Sequence, residues 1–315
     1  MNRSNKQESI NFKELLPSLY NPFKHVAAAV QTNKVITGKM GKGRAFYLKK
    51  ELFNKYFYEG NLMLGMNDEG IGPLKESENQ NVLVVGKTGI GKTSTYSIPN
   101  ILVEQEKSLI VIDPARELYQ QTYFEKENQG YNVETKSLSE CHDGVLEHLV
   151  QQLFEKKTIL YLHVNAFHHN ASEEERVRKL FKLLYESITN TKKRYHGIHV
   201  LFEEASGYKM PDLLRLLETC NSYQIQFSLV IQTVDCLNHL YGKEAAKSIL
   251  NSCLTKLLMG TESMEDAEYF SDLIGREMSP KEILYMPHEK SLLTYTSGSQ
   301  IIDKLPVMSR FEWRA

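Results

Sequence analysis

Gly86-Lys87-Thr88-Gly89-Ile90-Gly91-Lys92-Thr93, followed by Ser94, is the stretch that decides the fold. It matches the phosphate-loop pattern G-x-x-x-x-G-K-S/T, and its flanks agree: Val82-Leu83-Val84-Val85 reads as a buried strand and Ser94 onward as a helix start. Glycines let the backbone wrap an anion, and successive N–H groups at a helix N-terminus turn positive dipole toward it. Lys92 would reach the β- and γ-phosphates of a nucleoside triphosphate, and the Thr93 hydroxyl would coordinate Mg²⁺. The bland alternative is a glycine-rich strand-to-helix turn, against which the flanking context argues. The expected ligands are ATP and Mg²⁺.

Outward from this loop, apolar runs alternate with helical patterns. Ser108 to Ile112, Thr158 to His163, His199 to Phe202 and Gln226 to Ile231 read as further strands. Pro99 and Asn100 interrupt the helix that begins near Lys92. Ser172 to Arg194 opens with an acidic first turn and carries Leu180, Leu183, Leu184 and Ile188 at helical spacing, and Pro211-Asp212 starts another helix. Apolar strands separated by helices predict an α/β domain with a mainly parallel central sheet and helices on both faces. Such sheets bind ligands at the carboxyl ends of their strands, so the loop and the later strand ends should converge. Gly60 to Gly72 reads as glycine-punctuated loop, giving a leader over 1–75 that packs on an ATPase domain over 76–315.

Composition bounds the rest. The chain has 315 residues, 41% of them hydrophobic and 24% charged, as in ordinary globular proteins. With a net charge of −1 there is no global basic field, so any DNA contact must come from local patches. Cys141, Cys220, Cys236 and Cys253 are scattered without a C-x-x-C pair, which suits reduced thiols. No run approaches the roughly 18 apolar residues of a membrane span, and the polar start lacks a secretory core. A cytoplasmic protein is expected, peripheral at the membrane only through a partner.

Two acids, Glu203-Glu204, end the apolar strand Val200–Phe202 in the pattern of a Walker B element. Hydrolysis needs one carboxylate near Mg²⁺ and one to orient or deprotonate the attacking water, assigned here to Glu203 and Glu204 in that order. Alternate side chains of a strand diverge, so one pair can serve both roles. The extra methylene of Glu203, where Asp is usual, makes an indirect metal contact plausible; the plain alternative is an acid pair favoured by a helix N-terminus. Gln232 ends the next strand and reads equally as a γ-phosphate sensor or a loop amide. The catalytic candidates are therefore Glu204, Gln232 and Lys92.

Four blocks in order resemble the conjugative coupling-protein family, the TraG/TraD-like ATPases of type IV secretion. They are the phosphate loop running into Ile98-Pro99-Asn100; Ile112-Asp113-Pro114-Ala115-Arg116-Glu117-Leu118-Tyr119; Leu201-Phe202-Glu203-Glu204 with Pro211-Asp212-Leu213; and Val230-Ile231-Gln232-Thr233 with Leu240-Tyr241-Gly242 and Leu273-Ile274-Gly275. The resemblance covers about residues 60–305 and implies a RecA/FtsK-like P-loop NTPase that hydrolyses ATP, stimulated by DNA, as an oligomeric ring, most simply a hexamer. It implies relaxase-type DNA-processing proteins and secretion-channel proteins as partners. Family members carry N-terminal membrane helices and a helical domain between the two Walker motifs; this chain shows no such span, and near 122–197 the insertion is reduced. Where many members place an arginine after the Walker B helix, this chain has Thr219-Cys220-Asn221-Ser222-Tyr223. A trans-acting arginine must come from elsewhere, with Arg276 and then Arg215 as candidates.

Other features carry less. His168-His169 and Cys141-His142 lack a second ligand pair and read as surface residues. Arg176, Arg178, Lys179 and Lys182 with Lys192-Lys193-Arg194 form either a solvated helix face or a phosphate contact. Lys39, Lys42, Arg44, Lys49 and Lys50, interleaved with Phe46 and Tyr47, suit single strands or edge packing. Tyr208-Lys209 would suit a channel-facing loop of a ring. The competing function is a nucleotide-dependent adaptor that binds ATP and partner proteins with little hydrolysis and no DNA translocation. A small-molecule kinase is disfavoured, because no arginine-rich lid segment follows the core strands.

Overall fold

The computed structural model describes residues 39–40, 43–44, 62–67, 70–73, 81–164, 171–190, 196–207, 209–296, 298–305 and 307. Strands β1 (Lys39–Met40) and β2 (Gly43–Arg44) form a two-stranded antiparallel sheet of their own. All other strands join one sheet of eleven.

Seven of these run parallel: β5 (Val82–Gly86), β6 (Ser108–Ile112), β7 (Asn132–Ser137), β8 (Thr158–His163), β9 (Ile198–Phe202), β10 (Ile225–Ile231) and β11 (Thr255–Gly260). Their order is β11-β5-β10-β9-β6-β8-β7. The continuous apolar runs follow from burial on both faces. Alternate residues sort to opposite sides: Leu83, Val85, Val200 and Phe202 join one core, while Val82 and Val84 face a second cluster and Leu201 a third. Strand β7, with Asn132, Glu134 and Lys136, is the edge of the parallel part and only partly buried, so it has no apolar run to betray it.

The helices that connect and cover these strands are α1 (Ile98–Val103), α2 (Glu117–Asn128), α3 (Asp143–Glu155), α4 (Ala171–Asn190), α5 (Leu213–Thr219), α6 (Asp235–Tyr241), α7 (Lys243–Ser252), α8 (Met264–Leu273) and α9 (Pro280–Leu284). Between residues 122 and 197 the described residues form strand–helix units of the sheet itself, with no separate helical body.

The expected interruption at Pro99 takes a specific form. A π-helical turn, Thr93–Ser97, precedes α1, and Pro99 lies in the first turn of that helix. The missing proline N–H is tolerated in a first turn.

One expectation is corrected. Part of the Gly60 to Gly72 stretch is strand, not loop: β3 (Met63–Asn67) and β4 (Gly70–Pro73) extend the sheet beyond β12 (Lys290–Tyr295) and β13 (Gly298–Asp303), all antiparallel to their neighbours. At Gly65 the glycine marks a close approach. A Cβ on Gly65 would stand 2.5 Å from Ile302 Cδ1 and 2.6 Å from the Asp303 carbonyl oxygen.

Candidate nucleotide site

The phosphate loop leaves β5 at the middle of the sheet. Strand β10 separates β5 from β9, with Val85 opposite Ile231 and Leu229 opposite Phe202. The ends of three adjacent strands therefore present the loop, Gln232 and the Glu203-Glu204 pair on one edge. Gln232 is exposed there.

Within the loop, Gly89 and Gly91 adopt positive φ, 75° and 99°. Lys92 folds its ammonium onto the loop's own carbonyls, donating to Gly86 O at 2.6 Å and Lys87 O at 3.2 Å. Burial holds that ammonium below the usual lysine range, while Glu203 and Glu204 pull the other way. Thr88 is exposed, and the Ser94 hydroxyl donates to Gly91 O at 3.3 Å. Lys87 pairs with Glu262 at 2.5 Å.

Glu203 is 5% exposed and joins the two Walker elements. One carboxylate oxygen accepts from Thr93 Oγ1 at 2.7 Å and the other from Ser97 Oγ at 2.5 Å. Burial raises its carboxyl above the usual range; the Ser97 and Thr93 hydroxyls and Lys92 oppose that, and Glu204 reinforces it. Glu204 is exposed, and its backbone lies in the left-handed region at φ 52°. Its carbonyl accepts from Gly207 N at 2.8 Å, and the next residue, Ala205, donates its N–H to Val230 O at 2.8 Å. This anchored turn faces the pair apart, with Glu203 buried against the hydroxyls and Glu204 toward solvent.

A second acidic corner flanks the site. Asp113, 1% exposed at the end of β6, accepts the Tyr119 N–H at 2.9 Å and so caps the start of α2. Its carboxyl is raised by burial, against the Tyr119, Leu118 and Glu117 N–H groups and His163. Glu117 is raised as well, by desolvation and then by Asp113 and Glu204.

The donor set suits Mg²⁺ of a nucleotide complex. A threonine hydroxyl and a strand-end carboxylate 2.7 Å apart sit beside the cradle of the loop, and a hard cation of this kind is held mainly by substrate phosphates and water. Among the described residues no group of three or more His, Cys, Asp or Glu is placed to hold a metal ion by itself.

Arg276 is not brought to this site within the chain. Its side chain is 78% exposed and Nε contacts Asp272 at 2.9 Å; Arg215, on α5, is also exposed. Arg178 faces Glu175 and Asp212, Lys179 faces Asp143, and Lys182 lies 3.8 Å from Glu186. Arg178, Lys179 and Lys182 on that helix face are thus met by nearby acids, two of them from outside the helix. Lys192-Lys193-Arg194, Tyr208, His168-His169 and the basic residues Lys42, Lys49 and Lys50 lie outside the described residues.

Sequence reasoning missed Ser97, Asn100 and Lys304. Ser97 follows Thr93 by four residues, one turn on, which was the available signal. Asn100 is buried and accepts from Met63 N at 2.7 Å while donating to Met63 O and Tyr96 O, both at 2.9 Å.

Two family models match the chain: residues 198–309 fit "TraM recognition site of TraD and TraG", and residues 11–142 fit "Type IV secretory system Conjugative DNA transfer". Among solved structures, the unbound bacterial conjugative coupling protein TrwBdeltaN70 is similar with a TM-score of 0.55 at 10% identity, covering 87% of this chain and 95% of that one. TrwB in complex with the ATP analogue ADPNP gives 0.53 at 11% identity, over 86% and 96%. VirB4 of Thermoanaerobacter pseudethanolicus gives 0.53 at 11%, over 80% and 98%. No curated protein sequence matches. At these identities the structural likeness is one of fold.

Proposed function

Because the chain belongs to the conjugative coupling-protein family, we propose that it binds ATP with Mg²⁺ at residues 86–94 and hydrolyses it to drive conjugative DNA transfer. The observation that carries this reading is the 2.7 Å contact between Thr93 Oγ1 and Glu203 Oε1, which joins the two halves of a nucleotide site. TrwB, of the same fold, has been seen in complex with ADPNP and with ADP and Mg²⁺.

In this reading the N–H groups of the loop and the Lys92 ammonium cradle the β- and γ-phosphates, the ammonium leaving the Gly86 and Lys87 carbonyls to do so. The Thr93 hydroxyl holds Mg²⁺, and Glu203 orients that hydroxyl. Bound there, Mg²⁺ supplies neutralising charge to the phosphates. Glu204, at the exposed end of the turn, orients the attacking water and takes up its proton. Gln232 reports on the γ-phosphate from the strand between.

Transition-state charge calls for a further cation, and a neighbouring subunit is one source, with Arg276 as the candidate. The active form is then an oligomeric ring, most simply a hexamer, with DNA held through phosphate contacts that weaken with salt. Relaxase-type and secretion-channel proteins are the proposed partners. Among the described residues no helix is long and apolar enough to cross a membrane. We place the protein in the cytoplasm, at the inner face of the membrane through a partner.

The test is ATP turnover against DNA concentration, with mass measured with and without nucleotide and Lys92→Ala as control. Stimulation by DNA, nucleotide-promoted assembly and loss of turnover in Lys92→Ala are expected. A monomer that binds ATP but ignores DNA would leave the adaptor function in place. Retained ATP affinity in Lys92→Ala would overturn the site itself.

A further inference from the structure

Lys304 lies just past β13, far in sequence from the phosphate loop and outside every Walker element. Its Nζ donates to the Ile90 carbonyl at 3.2 Å and also to the His288 carbonyl, while its backbone N–H donates to Glu289 O at 2.8 Å. The ammonium thus ties the base of the β12–β13 hairpin to the middle of the loop.

Ile90 is held on its other side as well. It is 4% exposed, and its side chain fills the space where a Cβ on Gly86 would stand 2.8 Å from Ile90 Cγ2 and one on Gly260 3.1 Å from Cδ1. The Ile90 side chain and carbonyl therefore each have a fixed seat. In a trans peptide the C=O and the following N–H point in opposite directions. A carbonyl turned to Lys304 turns the Gly91 N–H away from it.

We propose that Lys304 is a positioning residue for nucleotide binding: by pinning the Ile90 carbonyl it aims the Gly91 N–H at the bound phosphates. The inference rests on the nucleotide-binding function proposed above and adds a residue that no Walker element contains. Lys304 acts from behind the loop, whereas Lys92 touches the phosphates. Its charge is confined as expected of a built contact: burial lowers its ammonium to about 8, Glu289 opposing and Lys87 adding to the shift. Because the peptide is aimed before the ligand arrives, the effect falls on binding and not on the chemical step.

The experiment uses the full chain, ATP with Mg²⁺ by titration calorimetry, and steady-state turnover. Lys304→Met should raise Kd and KM about tenfold, the size expected for losing one hydrogen bond from a charged group, with kcat changed less than about twofold. Lys304→Arg should recover most of the affinity. The thermal midpoint without nucleotide should stay within about 4 °C of the parent, so that a general loss of stability is excluded. If Lys304→Met does not fold, Lys304→Gln carries the same comparison. Parental affinity in the variant, while Lys92→Ala abolishes binding, would overturn this inference alone. A drop in kcat equal to the rise in KM would also overturn it. No ATP binding by the parent would overturn both this inference and the nucleotide site.

Discussion

Replacing Asn100 by Leu tests how the phosphate-loop helix is braced. The Asn100 amide spans two elements: it bonds both the N–H and the C=O of Met63 on β3, and the carbonyl of Tyr96 one turn back. Met63 is 3% exposed and Asn100 1%, so water is a poor substitute. Leu keeps the branched shape, though it is bulkier, and strips Met63 of this partner on both backbone groups. A buried polar group left unpaired costs about 1–3 kcal/mol, so two cost about 2–6 kcal/mol. The extra apolar surface of Leu returns about 1 kcal/mol. The expected net loss is about 1–5 kcal/mol, a large share of the roughly 5–15 kcal/mol that holds a domain together. Urea titration measures it, provided the slope of the transition is unchanged. Asn100→Asp with its carboxyl neutral keeps the acceptor for Met63 N and one O–H donor in place of two N–H donors, so it should fall between parent and Leu variant. A loss below about 0.5 kcal/mol for Asn100→Leu would refute the brace and leave the residue a bystander of the helix.

Glu204→Gln should keep ATP affinity and lose most hydrolysis, whereas Glu203→Gln should chiefly weaken the Mg²⁺ dependence; parental turnover in Glu204→Gln would require the roles to be reassigned. Arg276→Ala should lower turnover without altering nucleotide affinity, and unchanged turnover at saturating ATP and DNA would remove Arg276 from the trans role. His199, fully buried with Nε2 on the Ser228 hydroxyl at 2.8 Å, is held down to about 3 by burial, Lys107 adding to the shift. Below its ordinary 6.5 the unfolded chain takes up a proton that the folded chain does not. Stability contributed by neutral His199 is therefore lost as pH falls through that window, by about 1.4 kcal/mol per unit. His199→Gln should flatten the stability profile between about pH 5 and 6.5; equal slopes in denaturant titrations would contradict it. Glu203, shifted upward, acts with the opposite sign below its raised value, which is why the comparison is between parent and variant.

The central strands were legible because burial on both faces leaves runs that are mostly apolar, with few polar residues such as His199 and Ser228 to blur them. Val82–Val85 and Ile198–Phe202 announce themselves, and the loop and acid pair follow at their ends. Strand β7 was not legible, since an edge strand with Glu134 and Lys136 has the composition of a loop. Strand β3 was misread because Gly65 carries two meanings, turn and close approach, and only the position of Ile302 tells them apart. Lys304 could not have been found at all from spacing. Its partner is a backbone carbonyl, and nothing in a lysine after Asp303 marks which carbonyl that will be.

Glu203 shows how such contacts decide a substitution that sequence leaves open. An aspartate at this position would end one methylene closer to the strand. The glutamate carboxylate instead extends to two hydroxyls one helical turn apart, Thr93 and Ser97, and accepts from both. Both hydroxyls belong to a π-helical turn, Thr93–Ser97, whose wider spacing shifts where its side chains emerge. The longer acid and the widened turn are therefore a matched pair: the turn presents two donors, and the acid has the reach to take both. Because Thr93 then uses its proton on Glu203, its oxygen lone pairs face away from the acid and remain the part of this junction able to meet a cation.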